Sequence, residues 1–250
     1  MKRQIGVACL SLAASLAGMA RAADLNAVLD WAQRAELALS VSGVVAKVEA
    51  QPGQTVRQGD LLLSLNPTLF KARVAETHAD MARMTEEEAD ARKDLERANE
   101  LYARTVSSTT ELDAARLRHA GARAGLAAAQ ARLEQTRQQL AESELRAPYD
   151  GIVLDRRAEP GMAVSAQCQP PVLFTLARAD RLLARAALPA DLAAGLVPGM
   201  PARVQANGRV LEGGIAAVRH LGEAGFLLEV NLPREKGLRP GLAATIRLQP

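Results

Sequence analysis

One long heptad segment constrains the fold of this chain more than any other feature. Residues 67–143 contain no proline after Pro67 and only two glycines. Small and apolar residues recur there at alternating spacings of four and three, the period of a coiled coil. The first series is Phe70, Val74, Thr77, Met81, Met84, Glu88, Ala91, Leu95, Ala98 and Tyr102. The second series is Leu112, Ala115, His119, Ala122, Leu126, Ala129, Leu133, Thr136, Leu140 and Ser143.

The run TVSSTT between the two series predicts a tight turn between two antiparallel helices. We expect Ser108 or Thr109 to cap the second helix, with Glu111 in its first turn. Asn66 is expected to cap the first helix, and Pro67 suits its first position. The heptad segment is therefore predicted to form one long hairpin.

Two seam positions carry titratable side chains, Glu88 and His119. A metal site at His119 would need partners, and neither His78 nor His220 has a metal-site spacing to it. We therefore interpret His119 as a tolerated seam residue and Glu88 as an edge residue.

Two similar short β-motifs flank the predicted hairpin. They are VSGVVAKVEAQPGQTV, residues 41–56, and YDGIVLDRRAEPGMAV, residues 149–164. Gly43 corresponds to Gly151, and Gly53 corresponds to Gly161. We interpret all four as structural turn residues that supply a positive φ or a close backbone approach. Short apolar strands joined by Pro-Gly turns predict two halves of one small sandwich, split by the hairpin.

The N-terminal residues 1–22 predict a secretory signal peptide. Basic Lys2 and Arg3 precede an apolar stretch, and cleavage is expected near Ala22, so the mature chain is expected in the periplasm. The whole chain has a net charge of +3, but loss of Lys2, Arg3 and Arg21 leaves it formally neutral, so the basic pI does not indicate nucleic-acid binding. Cys168 is then the only cysteine, which excludes an intramolecular disulfide.

The run LRAPYDGIV, residues 145–153, resembles a motif of the periplasmic adaptor proteins of the HlyD and RND type, also called membrane fusion proteins. Residues 189–192, 199–204 and 238–244 resemble runs in the β-barrel domain of the same family. The resemblance covers about residues 36–250. It implies an elongated α+β multidomain fold, in which a long antiparallel coiled-coil α-hairpin is inserted in a split lipoyl-like β-sandwich and followed by a small β-barrel.

The resemblance also implies a division into domains. These are a signal peptide (1–22), an N-terminal segment (23–35), the first lipoyl-like half (36–66), the coiled-coil hairpin (67–143), the second lipoyl-like half (144–179) and the β-barrel (180–250). Because the sequence stops soon after the barrel, we expect neither a membrane-proximal domain nor a membrane anchor of its own.

The hairpin tip, residues 97–111, carries a further resemblance. Family members that meet a TolC-type outer-membrane channel have an Arg, a Leu four residues later and a Ser seven residues beyond that. This chain has Arg97, Leu101 and Ser108 at those spacings, and Ser107 stands where the family usually has Val or Ile. The resemblance therefore implies that these three residues contact the channel.

As a whole, the resemblance implies an adaptor that links an inner-membrane transporter to that channel. The transporter is expected to be of the RND type in preference to the ABC type, and the adaptor is expected to form a ring, hexameric in the family. No nucleic-acid partner, cofactor or enzymatic activity is expected, since no catalytic triad, metal-spaced cluster or phosphate-binding loop is found in the sequence.

Two alternatives remain open from the residues alone. An exported coiled-coil scaffold or chaperone would need the hairpin but not the split sandwich. A lipoyl or biotinyl carrier would need a modifiable lysine at the turn that the hairpin replaces. Lys47 falls inside a predicted strand and Lys71 at the start of a helix, which disfavours the carrier.

Overall fold

The computed structural model describes residues 24–167, 169–222 and 225–248. They form two compact units. One unit comprises residues 31–180, and the other combines residues 24–30 with residues 181–248. The predicted signal peptide and Cys168 lie outside the described residues.

The heptad segment forms two helices, α1 (Thr68–Ala103) and α2 (Thr109–Ala141). Every predicted seam residue is buried or half-buried except Tyr102, which is 43% exposed at the end of α1. The start of α1 differs from the prediction, because Pro67 is the capping residue and not the first helical one. The Asn66 carboxamide still accepts a hydrogen bond from the Thr68 N–H at 3.0 Å. The predicted hairpin is otherwise confirmed.

The flanking segments form a sandwich of two four-stranded sheets. Its strands are β2 (Arg34–Leu37), β3 (Gly43–Val48), β4 (Thr55–Val56), β5 (Leu61–Leu65), β6 (Glu144–Arg146), β7 (Gly151–Arg156), β8 (Ala163–Val164) and β9 (Phe174–Arg178). One sheet has the order β2-β9-β7-β4 and the other β6-β5-β3-β8. Both sheets therefore mix strands that precede the hairpin with strands that follow it.

The two β-motifs pair with each other across the sandwich. Gly43 in β3 lies opposite Val164 in β8, and Gly151 in β7 lies opposite Val56 in β4. Each half therefore lends a two-residue strand to the other half. This reciprocal exchange explains why the motif occurs twice.

The backbone hydrogen bonds at the two Pro-Gly turns repeat the same exchange. The Gly53 N–H donates to the Val153 carbonyl at 2.8 Å, and the Gly161 N–H donates to the Val45 carbonyl at 2.8 Å. The φ angles of the two glycines are 83° and 85°, in the left-handed region that favours glycine. The halves are thus related by a local two-fold repeat in sequence, register and bonding.

The second unit is a closed six-stranded barrel with a short helix, α3 (Ala190–Ala193). Its strands are β1 (Asp24–Trp31), β10 (Arg181–Leu188), β11 (Pro201–Ala206), β12 (Arg209–His220), β13 (Phe226–Pro233) and β14 (Ala243–Leu248). Their order around the barrel is β1-β10-β13-β12-β11-β14.

Strand β1 belongs to the N-terminal segment, for which the sequence predicted no role in the barrel. It pairs with β14, where Asp24 lies opposite Arg247. In chain order, the hairpin is inserted in the sandwich, and the sandwich is inserted between the first two strands of the barrel.

The predicted fold class is confirmed: a coiled-coil hairpin interrupts a split sandwich, and a small β-barrel follows. Within the described ranges, none of the helices combines the length and the apolar character needed to span a bilayer.

Candidate functional site

Helix α1 ends within the hairpin tip, where two backbone hydrogen bonds close its last turn. The Thr105 N–H donates to the Tyr102 carbonyl at 2.9 Å, and the Val106 N–H donates to the Leu101 carbonyl at 3.0 Å. This pattern is the Schellman motif, in which a left-handed residue reverses the chain. Thr105 occupies that position with a φ of 59°.

Ser108 starts α2 through a complete capping box. Its hydroxyl accepts from the Glu111 N–H at 3.3 Å, and the Glu111 carboxylate accepts from the Ser108 N–H at 2.9 Å. The prediction that Ser108 or Thr109 caps α2 is confirmed, with Ser108 in that position. Because its hydroxyl is engaged in the cap, Ser108 contributes to the shape of the tip as well as to its surface.

Arg97 and Leu101 lie one helical turn apart on α1 and therefore share a face of that helix. The Arg97 guanidinium is 3.2 Å from the Asp94 carboxylate in an exposed pair. An exposed pair of this kind contributes roughly 1 kcal/mol or less, so a partner could displace it. Among the described residues, no hydrogen bond joins Arg97, Leu101 and Ser108 to one another.

Two surface residues of the tip were not predicted from the sequence. Tyr102 was placed on the seam but is 43% exposed, and Val106 is 71% exposed. The Ser107 hydroxyl, in contrast, is buried without a hydrogen-bond partner among the described residues. The sequence signal for Tyr102 was its place at the very end of the heptad series, where the partner helix no longer covers it.

Polar contacts also join the two helices along the coiled-coil seam. The Thr77 and Thr136 hydroxyls are 2.8 Å apart. The His119 Nε2 atom is 3.1 Å from the Glu88 carboxylate, and both side chains are less than a quarter exposed. Glu88 and His119 were interpreted separately from sequence, but they form one pair. A polar layer in a coiled coil can fix the register of its helices.

The motif that carried the family resemblance fastens the return of the hairpin to the first half of the sandwich. The Arg146 guanidinium donates to the Gly59 carbonyl at 2.8 Å. The Asp150 carboxylate accepts from the Gln58 N–H at 2.7 Å. These two residues therefore hold the fold together at this point.

Tyr149 of the same motif is half-buried and donates to the Leu176 carbonyl at 3.3 Å. The Arg178 guanidinium carbon lies 5.8 Å from the centre of its ring. Burial raises the pKa of Tyr149, and the charge of Arg178 opposes that rise.

The four predicted turn glycines occupy two kinds of position. Gly53 and Gly161 lie in turns with positive φ. Gly43 and Gly151 are instead the first residues of β3 and β7. A Cβ atom at Gly151 would lie 2.6 Å from the Ala177 carbonyl oxygen, so close backbone approach requires glycine there.

The described residues contain no group of three or more His, Cys, Asp or Glu side chains arranged to hold a metal ion. Lys47 lies within β3 and Lys71 within α1, so neither is at a turn between the two halves.

Comparison with known families identifies the sandwich and hairpin. The family described as CzcB-like, barrel-sandwich hybrid domain matches residues 33–177. The chain belongs to this family. The resemblance to membrane fusion proteins found in the sequence is thereby confirmed.

Two curated relatives from Escherichia coli each match about half of this chain. The uncharacterised protein YdhJ of strain K12 is 34% identical over 122 residues, which is 49% of this chain and 42% of YdhJ. The multidrug resistance protein MdtA of strain 55989 is 32% identical over 126 residues, which is 50% of this chain and 30% of MdtA. The chain thus spans less than half the length of either relative.

Solved structures share the fold over most of the chain. A MacA-MexA chimeric protein containing the Pseudomonas aeruginosa MexA α-hairpin domain aligns with a TM-score of 0.71 at 19% identity, over 90% of this chain and 79% of the chimera. The membrane fusion protein Spr0693 from Streptococcus pneumoniae R6 also has a TM-score of 0.71, at 14% identity, over 91% of this chain and 98% of Spr0693.

Proposed function

We propose that this protein is a periplasmic adaptor that links an inner-membrane transporter to a TolC-type outer-membrane channel in a tripartite export system. The transporter in this proposal is of the RND type. The proposal assigns this chain neither an exported substrate nor a chemical step of its own. Its role is to connect the two membrane partners.

The observation that carries the proposal is the construction of the hairpin. Both of its ends are fastened in a sandwich whose halves exchange strands, and its tip presents the exposed Arg97 and Leu101 beside a capped turn. A rigid base with a prominent contact surface at the far end suits a connector between two partners. The family membership and the similarity to MdtA, a multidrug resistance protein, support the same role.

The remaining parts of the proposal concern assembly and location. We propose that residues 1–22 direct export, and that several copies form a ring, six in the family expectation. We also propose that the domain division given from the sequence holds outside residues 24–35, which join the barrel and the sandwich. Native mass spectrometry of the mature protein would measure the copy number.

Site-specific photo-crosslinking in intact cells tests the connection. Because Ser108 caps α2, the probe is better placed at the exposed Thr110, with the exposed Arg209 on the barrel as the control position. Capture of an outer-membrane channel from position 110 and not from position 209 is the expected result. Capture of soluble periplasmic proteins alone from position 110 would overturn the adaptor function and favour a scaffold or chaperone.

A further inference from the structure

Three large apolar side chains are exposed together at the hairpin tip. They are Leu101, Tyr102 and Val106, with exposures of 38%, 43% and 71%. Among the described residues, ten large apolar side chains are exposed, and three of them fall within these six consecutive positions. Single exposed apolar residues are ordinary on a protein surface, whereas a group of them indicates a contact surface.

The backbone holds this group in place with a strained residue. Thr105 is β-branched, yet its φ of 59° lies in the left-handed region, where glycine is the usual choice. The Schellman hydrogen bonds around it return the backbone of Val106 to that of Leu101. Strain of this kind is retained where the surrounding structure fixes it, and it is common at functional sites. The apolar group is therefore presented by a fixed turn.

The residue that follows cannot supply the same contact. Position 107 usually carries Val or Ile in the resembling family, but here it is Ser107, whose hydroxyl is buried. Val106, one residue earlier, is the most exposed of the three apolar residues. The apolar surface of the tip is thus displaced by one residue and enlarged by Tyr102.

The charges around the group indicate the chemistry of its partner. The tip together with the adjoining turn of each helix, residues 94–116, contains five acidic and three basic side chains, so this end of the hairpin carries an excess of negative charge. Within the described residues, Glu96 and Glu100 have no ion-pair partner. An acidic surface is repelled by anionic lipid headgroups and is complementary to a protein surface that offers donors or basic side chains.

We propose that Tyr102 and Val106, together with Leu101, are apolar anchors that enter a cleft on the partner protein rimmed by hydrogen-bond donors or basic side chains. The proposal rests on the adaptor function, and it names the residues that determine how this tip recognises its channel. An aromatic anchor such as a tyrosine in a well-packed, desolvated pocket commonly carries much of the affinity of an interface, and apolar neighbours exclude water around it.

The test measures the yield of channel crosslinked from position 110 in cells that carry additional substitutions. V106S and Y102S are each expected to lower the yield about tenfold, because loss of one buried apolar anchor weakens binding by roughly that factor. L117S is the matched control, since Leu117 is 74% exposed on α2 outside the tip.

The outcomes separate this inference from the adaptor function. If the unsubstituted protein captures the channel but V106S and Y102S behave like L117S, the anchors are wrong and the adaptor function stands. If the unsubstituted protein captures no channel, both are wrong. Lipid adducts from a probe at position 106 would also overturn the inference. Thermal unfolding by circular dichroism should be unchanged in every variant, because the substituted side chains are exposed.

Discussion

The sandwich and the hairpin belong to one compact unit but are held together in different ways. The sandwich has a dense apolar core, in which Leu62, Leu65, Val153 and Phe174 are 0% exposed. The described helices of the hairpin bury few residues, namely Phe70, Leu112, Ala115, Ala129 and Leu133, and two of these are alanines. Apolar burial is the main source of stability, so the sandwich is expected to be much the more stable region.

The hairpin compensates for its thin seam with directional contacts. A capping box begins α2, a Schellman motif ends α1, and polar pairs such as Thr77–Thr136 and Glu88–His119 cross the seam. Such contacts contribute about 1 kcal/mol each and define register more than stability. The sandwich is therefore expected to resist deformation, whereas the hairpin keeps a defined shape at a lower local stability.

The largest effect is expected from truncating matched core residues in the two regions. Leu65→Ala should lower the free energy of unfolding by about 4–5 kcal/mol, since it leaves a cavity at a fully buried site in the sandwich. Leu133→Ala on the seam should cost about 2 kcal/mol, because a hairpin with an open seam can close around the gap. Urea titration measures both. Equal losses would contradict the comparison.

A second substitution pair tests the repeat within the sandwich. Gly151→Ala should destabilise the protein by about 2–3 kcal/mol, because the new Cβ would meet a backbone carbonyl at 2.6 Å. Gly43→Ala should cost about 1 kcal/mol, since the nearest neighbour of its Cβ would be the Leu65 Cδ1 atom, at 3.0 Å, which belongs to a side chain and not to the backbone. Denaturant midpoints compare the two. A greater loss of stability at Gly43 would show that the first half of the sandwich is the more tightly constrained of the two.

The capping box gives a smaller and local effect. Ser108→Ala removes the hydroxyl that accepts from the Glu111 N–H, so it should destabilise the start of α2 by about 1 kcal/mol. Faster amide hydrogen exchange confined to the hairpin tip is the expected observation. Ser108→Asp is the control, because an aspartate can cap the helix equally well. Faster exchange in the sandwich would argue against a local role.

The smallest effect concerns a contact between the two regions. Hydrogen bonds from Gln138 and Ser40 lower the pKa of Glu142 at the end of α2. The carboxylate therefore adds stability above its unfolded pKa, and this contribution is lost as the pH falls through the lower, folded value. Ser40→Ala should reduce the acid sensitivity of the melting temperature between about pH 5 and pH 3 by a small amount. An unchanged pH profile would show that the contact has no energetic effect.

The features that depend on local periodicity could be predicted from the sequence. The heptad spacing identified nearly every residue of the seam, and the hydroxylated run identified the turn and its capping serine. Tyr102 was misplaced because periodicity does not tell where the partner helix ends. The predicted channel contact of Arg97, Leu101 and Ser108 stays a prediction.

The features that depend on distant pairing could not be predicted. Strand β1 alternates buried and exposed residues, but its partner β14 lies at the other end of the described chain. The pairing of Glu88 with His119 was missed because each residue was weighed alone, and only the register of the two helices brings them together. The two-residue strands β4 and β8 are too short to show a period, so the exchange between halves required the structure.

The nested order of the insertions has a consequence for the route by which the chain folds. Glu88 and His119 are separated by 31 positions in the hairpin. Ser42 and Ala166 are separated by 124 in the sandwich, and Asp24 and Arg247 by 223 in the barrel. Loop closure becomes less favourable as the separation grows, so folding is expected to proceed outward from the hairpin. Strand β1 is the first of the described strands in the chain and its partner β14 is the last, so this pairing is expected to form latest.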